Sequence, residues 1–548
     1  MALASSVPSA RGPLADLELD YAVLPLWVRL RAEFAVWSSR HQQSLLVLVP
    51  TLALVAWFHI KGMNTFPLWR DDPGTYLSQS WAFQFLHALS PTSYIYDHPP
   101  LGWMQIAVYS MLTGGFYRYD SAMVFGNECM AIAALVCAAL MFGVGRRLGL
   151  SRLGSAVAPI LFGLTPLALT FTRPTYLDNL VNPWLLLALY LALSPRRSIA
   201  AGVGASVSFA AAVLTKETYL LALPGLIYAM AQNNDRRNRS MVWLLSALLG
   251  VLTASLYICY ALIKTELFAA PNRNSLLGTA LWQLVHRQSS GSVLDPNSAA
   301  RQMVTDWLDI DQTYLVAGAA AAVLALAIKR LRPLVGMVLL QYLWLLKGGY
   351  VPAMFVLAFL PWNALLIVGV LERVSGNRRL SARYAGLAEM KYPAPAVTRW
   401  RLVRIVVAAL MAVAIATQAY VPWRDQLSYM TTVAVKPDLQ LASEWVGRNV
   451  PRDKVIVVHD TIWVDLVQHD GWNPRDVVMA YKLDADPAVH NAHNHVDYLV
   501  VPNWYYQIKD GKYPSLLSAR DHAIAVATFG SGHDGVTVYM VSAVWKYR

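Results

Sequence analysis

Charged side chains are what this sequence has least of. Only 14% of its 548 residues are Asp, Glu, Lys or Arg, where a soluble protein carries about 25%. Hydrophobic residues make up 56% and the mean hydropathy is +0.39, which excludes a wholly water-soluble domain. Cysteine is nearly missing. The three present, Cys129, Cys137 and Cys259, fall inside apolar runs, so no disulfide framework is implied. The first 43 residues lack a short apolar core with a small-residue cleavage site, and read as a cytoplasmic tail rather than a signal peptide. No half-to-half repeat is visible.

What is there instead is a series of apolar runs, each of roughly 17–25 residues and long enough for about 30 Å of hydrocarbon. The formal charge is +12, and the excess sits in short loops: Arg146-Arg147, Arg196-Arg197, Arg236-Arg237, Lys329-Arg330, and the stretch from Arg373 to Arg404. Basic loops of this kind mark the cytoplasmic side. The charge therefore reports topology in an inner or plasma membrane and no nucleic-acid partner, and the high Ala, Val, Leu and Trp content leads us to expect a bacterial one.

Alternation around those loops sets the span count. The first span, about 44–60, leads the chain out, and Arg146-Arg147 must lie inside. The apolar stretch near 100–112 is too short for a span. We therefore expect one extracytoplasmic loop over about 61–118, holding interfacial helices near 75–89 and 100–112. Further spans are expected near 119–144, 154–171, 178–193, 200–215, 219–232, 241–264, 313–328, 334–346, 351–371 and 405–421, about eleven in all. A second extracytoplasmic loop covers 265–312. The expected fold is thus an all-α polytopic membrane domain, 44–421, followed by a small extracytoplasmic α/β domain, 422–548. The latter reads as short β-type runs with interleaved helical patterns.

Ionisable residues concentrate at the outer ends of these spans: Arg70, Asp71, Asp72, Asp97, His98, Arg173, Asp178, Lys216, Glu217 and Lys347. Glu128 is the exception, lying within a span. Solvation at the interface accounts for any one of them. As a set, cations where the positive-inside rule disfavours them, beside carboxylates, suit an anionic headgroup and acid/base work next to it.

The loop reads Arg70-Asp71-Asp72-Pro73-Gly74-Thr75-Tyr76, then Tyr94-Ile95-Tyr96-Asp97-His98-Pro99-Pro100-Leu101. An acidic pair after the first span, a His-Pro-Pro-Leu element, an Arg173…Asp178 pair and Lys216 resemble the GT-C membrane glycosyltransferases. The closest pattern is that of the protein-O-mannosyltransferase and aminoarabinose-transferase families, over about residues 44–420. The Asp-Asp pair departs from the Asp-Glu of the mannosyltransferases, and no β-trefoil insertion is present.

The resemblance implies an inverting glycosyltransferase. It would use a polyprenyl-phosphate sugar donor and a glycan, lipid or protein acceptor outside the membrane. It assigns the base to Asp71, with Asp72 next, and donor phosphate to Lys216, Arg173 and Lys347. Substrate contacts fall to Arg70, Asp97, His98, Asp178, Glu217 and Tyr350. A divalent ion (Mg, Mn, Ca or Zn) at Asp71 and Asp72 is a candidate cofactor. Blander readings stand beside these. Asp-Asp-Pro-Gly can cap the helix near Thr75, Asp178 can pair with Arg173, and Glu217 with Lys216. His490, His493 and His495 have spacing for a metal, or for a polar loop. A transporter of lipid-linked sugars and a non-catalytic envelope protein are the alternatives; polar residues at the rim rather than at mid-span count against transport.

Overall fold

The computed structural model describes residues 25–67, 69, 71–270, 274–377, 380, 399–433, 436–486, 489, 495–507, 513–542 and 545; for Asp71, Ala485 and parts of the two longest helices only the backbone is described. Arg70, His490 and His493 lie outside the described residues. The chain divides into two compact units after Thr51, inside helix α1 (Leu26–Ile60). The described part of the first unit is helical, and the rest of the chain forms the second.

In the second unit, α1 ends at Ile60 and is followed by α2 (Asp71–Phe85) and α3 (Leu101–Thr113), both in the segment read as one loop. A left-handed Gly114 closes α3. Then come α4 (Ala122–Leu148), α5 (Arg152–Leu164), α6 (Pro166–Thr172), α7 (Leu177–Ala192), α8 (Ile199–Thr215), α9 (Leu223–Asn233) and α10 (Arg239–Ile263). Completing the bundle are α11 (Ala299–Ala325), α12 (Arg332–Lys347), α13 (Leu360–Val374) and α14 (Arg399–Thr432). Local sequence explains many of the starts. Ser121, Ser151, Ser198 and Ser298 each accept a backbone N–H of the first turn they precede, satisfying donors that have no partner inside the helix.

Among the described residues, six helices are long and apolar enough to cross a membrane, or seven if α5 and α6, bent by 63° at the Thr165-Pro166 junction, form one broken span. By length and composition this is fewer than the eleven expected from hydropathy. The difference lies in short or interrupted elements. The run near 219–232 is a 3-10 turn (Glu217–Ala222) followed by α9, and α7 and α8 are apolar but only 16 and 17 residues long. Part of the expected 265–312 loop is helical. α11 begins at Ala299 and is broken at Asp311, whose backbone leaves the helical region and whose carboxylate caps Tyr314. Glu128 is not a bare charge in a span: Arg118, Tyr109 and Tyr119 all bond its carboxylate.

After α14 the chain forms α15 (Asp438–Asn449) and a five-stranded mixed sheet of β1 (Ile456–Val458), β2 (Val477–Met479), β3 (Tyr498–Pro502), β4 (Ala523–Phe529) and β5 (Val536–Val541). The order is β2-β1-β3-β5-β4. β1 is parallel to both neighbours, and β5 is antiparallel to β3 and β4. Ile456, Val457 and Val458 are buried on both faces, which is why the run is apolar without alternation. The chain leaves β1 for β2 on one side and returns as β3 on the other. The carboxyl end of β1, at His459 and Asp460, is therefore the point where the winding reverses, the usual place for a binding crevice in such a sheet.

Candidate functional site

The acidic pair opens α2. Asp71 is its first residue and Asp72 its second, and Pro73 costs nothing here because a first-turn N–H has no helical partner. Carboxylates at a helix N-terminus are stabilised by its dipole. The next two positions are held by the carboxyl end of β1. Thr75 donates its backbone N–H (2.8 Å) and its hydroxyl (2.7 Å) to one oxygen of Asp460, and the hydroxyl also lies 3.2 Å from that of Tyr481. A Cβ on Gly74 would fall inside the backbone of Asp460 and Thr461, so glycine is required by close approach. Further along, the Trp81 indole donates to Gln468 and stands edge-on to Trp463. The crevice that the sheet would offer a ligand is filled by the helix carrying the acidic pair.

Tyr76, buried on α2, gathers the surrounding charge. Burial first, then the carboxylates of Asp72, Asp97, Asp178 and Glu217, hold its pKa well above the ordinary tyrosine value. The charges of all four act on Tyr76, whose ring centre lies 6.2 Å from that of His98. Lys216, at the C-terminal cap of α8, donates to Asp178 at 2.8 Å with both side chains buried, and the Tyr219 hydroxyl bonds the other oxygen of Asp178 at 3.1 Å. Burial opposes the ammonium, but Asp178, with Asp72 and Glu217 beyond it, raises its pKa above the ordinary lysine value. Lys216 is charged at neutral pH.

His98 bonds Glu217 through Nδ1, at 3.0 and 3.2 Å from the two carboxylate oxygens. Burial works against the protonated ring, yet Glu217 and Asp97 bring its pKa above the histidine norm. Partial burial would raise Glu217, and His98 and Lys216 instead hold it below the carboxylate norm. Asp97 stands beside them with one buried oxygen, Oδ1, that has no hydrogen-bond partner among the described residues. Such an oxygen in a polar site is a demand for a donor.

These contacts revise several expectations. Asp178 pairs with Lys216, not Arg173, and Glu217 with His98, not Lys216. Arg173 is fully buried and gives its terminal nitrogens to five carbonyls: Phe58, Lys61, Gly62, Phe66 and Met430. It fastens the chain after α1 and the end of α14, leaving no terminal nitrogen for a phosphate. Lys347 is exposed at the end of α12 in an apolar cleft with Leu340 and Leu343, and Tyr350 lies 3.4 Å under the Arg287 guanidinium. Neither is among the groups around Tyr76 or Lys216. His495 is engaged locally, by the Trp545 carbonyl and Asp497.

A metal site needs several converging ligands. No group of three or more His, Cys, Asp or Glu side chains does so among the described residues. The side chain of Asp71, and His490 and His493, lie outside the described residues.

Sequence reasoning missed Asp460, Tyr481 and Lys482. Lys482 donates to Ser90, Thr92 and the Ser93 carbonyl, and Asp486 accepts from Ser93. Asp465, buried beside Ser121, caps α4 through the Ala122 N–H. One signal was available: a polar pair directly after an apolar parallel strand.

Comparison with known proteins bears on the fold. Residues 97–260 match the family described as dolichyl-phosphate-mannose-protein mannosyltransferase. A search of curated proteins gives no match. Among solved structures, the archaeal oligosaccharyltransferase AglB from Archaeoglobus fulgidus, in complex with an inhibitory peptide and a dolichol-phosphate, aligns at 15% identity with a TM-score of 0.54, over 92% of this chain and 75% of that one. An Archaeoglobus fulgidus oligosaccharyltransferase in complex with Zn and sulfate also aligns (14% identity, TM-score 0.51, over 90% of this chain and 72% of that one). ArnT from Cupriavidus metallidurans in the apo state aligns at 15% identity and a TM-score of 0.50, over 91% of this chain and 98% of that one. The chain has the fold of the GT-C membrane glycosyltransferases.

Proposed function

We propose that the chain is a polyprenyl-phosphate-dependent, inverting glycosyltransferase. One observation carries the reading: in a GT-C fold, the adjacent residues Lys216 and Glu217 engage Asp178 and His98, and the His98 ring lies 6.2 Å from that of Tyr76 on the helix that carries the acidic pair. The relatives in hand support the donor class, since AglB is seen with a dolichol-phosphate and the matching family acts from dolichyl-phosphate mannose.

In this reading a carboxylate of the acidic pair, Asp71 or Asp72, takes the proton of an acceptor hydroxyl or amine. The acceptor atom attacks the anomeric carbon from the face opposite the phosphate. The bond from that carbon to the phosphate oxygen breaks, and polyprenyl phosphate leaves carrying the electron pair. Lys216 supplies positive charge where the leaving phosphate gains negative charge. One of its three N–H groups is committed to Asp178, leaving two for a phosphate. The Asp97 oxygen takes a hydroxyl of sugar or acceptor, and the His98–Glu217 pair fixes the loop that bears it. The acceptor is a glycan, a lipid or a protein.

The topology belongs to the same proposal: a cytoplasmic tail (1–43), a catalytic membrane domain (44–421) with about eleven crossings, and an extracytoplasmic α/β domain (422–548). The two loops, 61–118 and 265–312, then lie outside with the active site. Mass spectrometry of lipids co-purifying with the protein tests the donor. A polyprenyl phosphate, bare or sugar-bearing, is expected; only bulk phospholipid would count against it.

A further inference from the structure

Beside the carboxylate cluster is a cavity of about 950 Å³. It lies between the segment Phe83–Leu101, the outer ends of α8 and α10, and Asp486 from the sheet region. None of Asp72, Asp178 or Lys216 lines it. It meets the site through His98, whose carbonyl accepts from the Tyr94 hydroxyl at 2.6 Å and the Tyr257 hydroxyl at 3.3 Å. The volume falls in the range of about 300–1,000 Å³ typical of small-ligand sites.

Its polar floor is built, and its hydrogen bonds have a direction. Lys482 lies behind the floor, and an ammonium can only donate. It donates to the hydroxyls of Ser90 (3.2 Å) and Thr92 (2.6 Å), so those oxygens act as acceptors there and keep their own protons to give. On the same wall Asp486, itself buried, accepts from Ser93. The cavity thus presents O–H donors and a carboxylate acceptor side by side. Tyr94, Tyr257 and Tyr260 add aromatic surface, the last two one helical turn apart on α10. Glu266 also lines the cavity, held by the Tyr96 hydroxyl at 2.6 Å.

The geometry points to a hydroxyl-rich sugar ring as the occupant. Alternating donors and acceptors match vicinal hydroxyls, and tyrosine rings match the apolar face of a pyranose. Phosphate fits poorly. On the lining Asp486 and Glu266 face Lys264, with Lys482 behind the floor, so the cavity offers an anion no excess of positive charge. The inference rests on the proposed glycosyl transfer only for what the ring is attached to. A lipid-linked donor and a free glycan acceptor carry the same chemistry.

The test is saturation-transfer NMR on the full chain in nanodiscs. One arm uses free aldohexoses, aldopentoses and chitobiose as probes; the other uses a hexose on polyprenyl phosphate. Ring-proton transfer is expected, unaffected by inorganic phosphate. It should weaken about three- to tenfold in Tyr260→Ala, the loss of one aromatic platform, and more in Asp486→Asn. The Tyr260 side chain makes no hydrogen bond among the described residues, so Tyr260→Ala still reads the site if Asp486→Asn fails to fold. A signal from free sugars marks the acceptor, and one seen only with the lipid-linked hexose marks the donor. No transfer in either arm, displacement by phosphate, or equal transfer in Tyr260→Ala would overturn the proposal. Transfer by the wild-type chain separates the two readings: a wild type that binds the ring yet never transfers sugar refutes the enzyme and leaves this site standing.

Discussion

Removing the Asp460 carboxylate should disable the active-site helix without unfolding the bundle. Asp460 is 3% exposed and receives two hydrogen bonds from Thr75, at 2.8 and 2.7 Å. Bonds to a charged acceptor contribute about 1.5–3 kcal/mol each. In Asp460→Ala the Thr75 N–H and hydroxyl are left facing a vacated pocket, a local cost of roughly 3–5 kcal/mol. That is enough to free the first turn of α2, where both Asp71 and Asp72 sit. Misplacement of a reacting group by about 1 Å can cost some 100-fold in rate, so kcat should fall by about that factor with KM for the lipid donor little changed. Asp460→Asn keeps an acceptor oxygen and should recover most of the loss. Hydrogen exchange of the peptide covering 71–80 reads the helix directly, and should rise sharply in Asp460→Ala only. Transfer within about twofold of wild type, with unchanged exchange over 71–80, would refute the claim that the sheet positions the acidic pair.

Three further outcomes follow from the same contacts. Lys216→Met leaves Asp178 charged and buried and should cost about 3–5 kcal/mol, read as a lower Tm; Lys216→Met with Asp178→Leu should regain stability but not transfer, whereas restored transfer would make Lys216 merely structural. Arg173→Met should destabilise comparably, by orphaning five carbonyls, yet leave KM for the donor unaltered in whatever fraction folds; a raised KM would return Arg173 to the phosphate. The His98–Glu217 pair sets a pH window. His98 is raised, so its contribution is complete below about pH 6.5 and fades as pH climbs through its folded pKa; Glu217 is lowered, so its contribution needs pH above about 4.5. The stability gap between wild type and Glu217→Gln, followed by Tm, should therefore be wider at pH 6 than at pH 9, by less than about 1 kcal/mol because Glu217 keeps a solvent-exposed face; a gap that widens with pH would contradict the pairing.

Much of this fold is legible along the chain because apolar length and basic loops are local signals. α4, α7, α8 and α10 stand within a few residues of the apolar runs near 119–144, 178–193, 200–215 and 241–264, and the five strands coincide with short β-branched runs in the last hundred residues. Hydropathy fails where backbone geometry changes inside an apolar run, as at the bend between α5 and α6 or the 3-10 turn after Lys216. The site was visible as a set of residue types and opaque as a set of pairs. Arg173 and Lys216 are both rim cations in sequence, and only packing shows one spent on carbonyls and the other beside a carboxylate. Asp460 lies 385 residues from Thr75, a separation over which neither periodicity nor spacing carries information.

The central claim is that the acidic pair at the start of α2 takes the acceptor proton in transfer from a polyprenyl-phosphate sugar. It is tested most directly by following label from a polyprenyl-phosphate hexose or pentose into an envelope fraction, with wild type, Asp71→Asn and Asp72→Asn in matched nanodiscs. The account predicts transfer by wild type, a drop of about 100-fold or more in one of the two variants, and undiminished donor binding in that variant. Wild-type rates in both would remove the base from this helix and contradict the account.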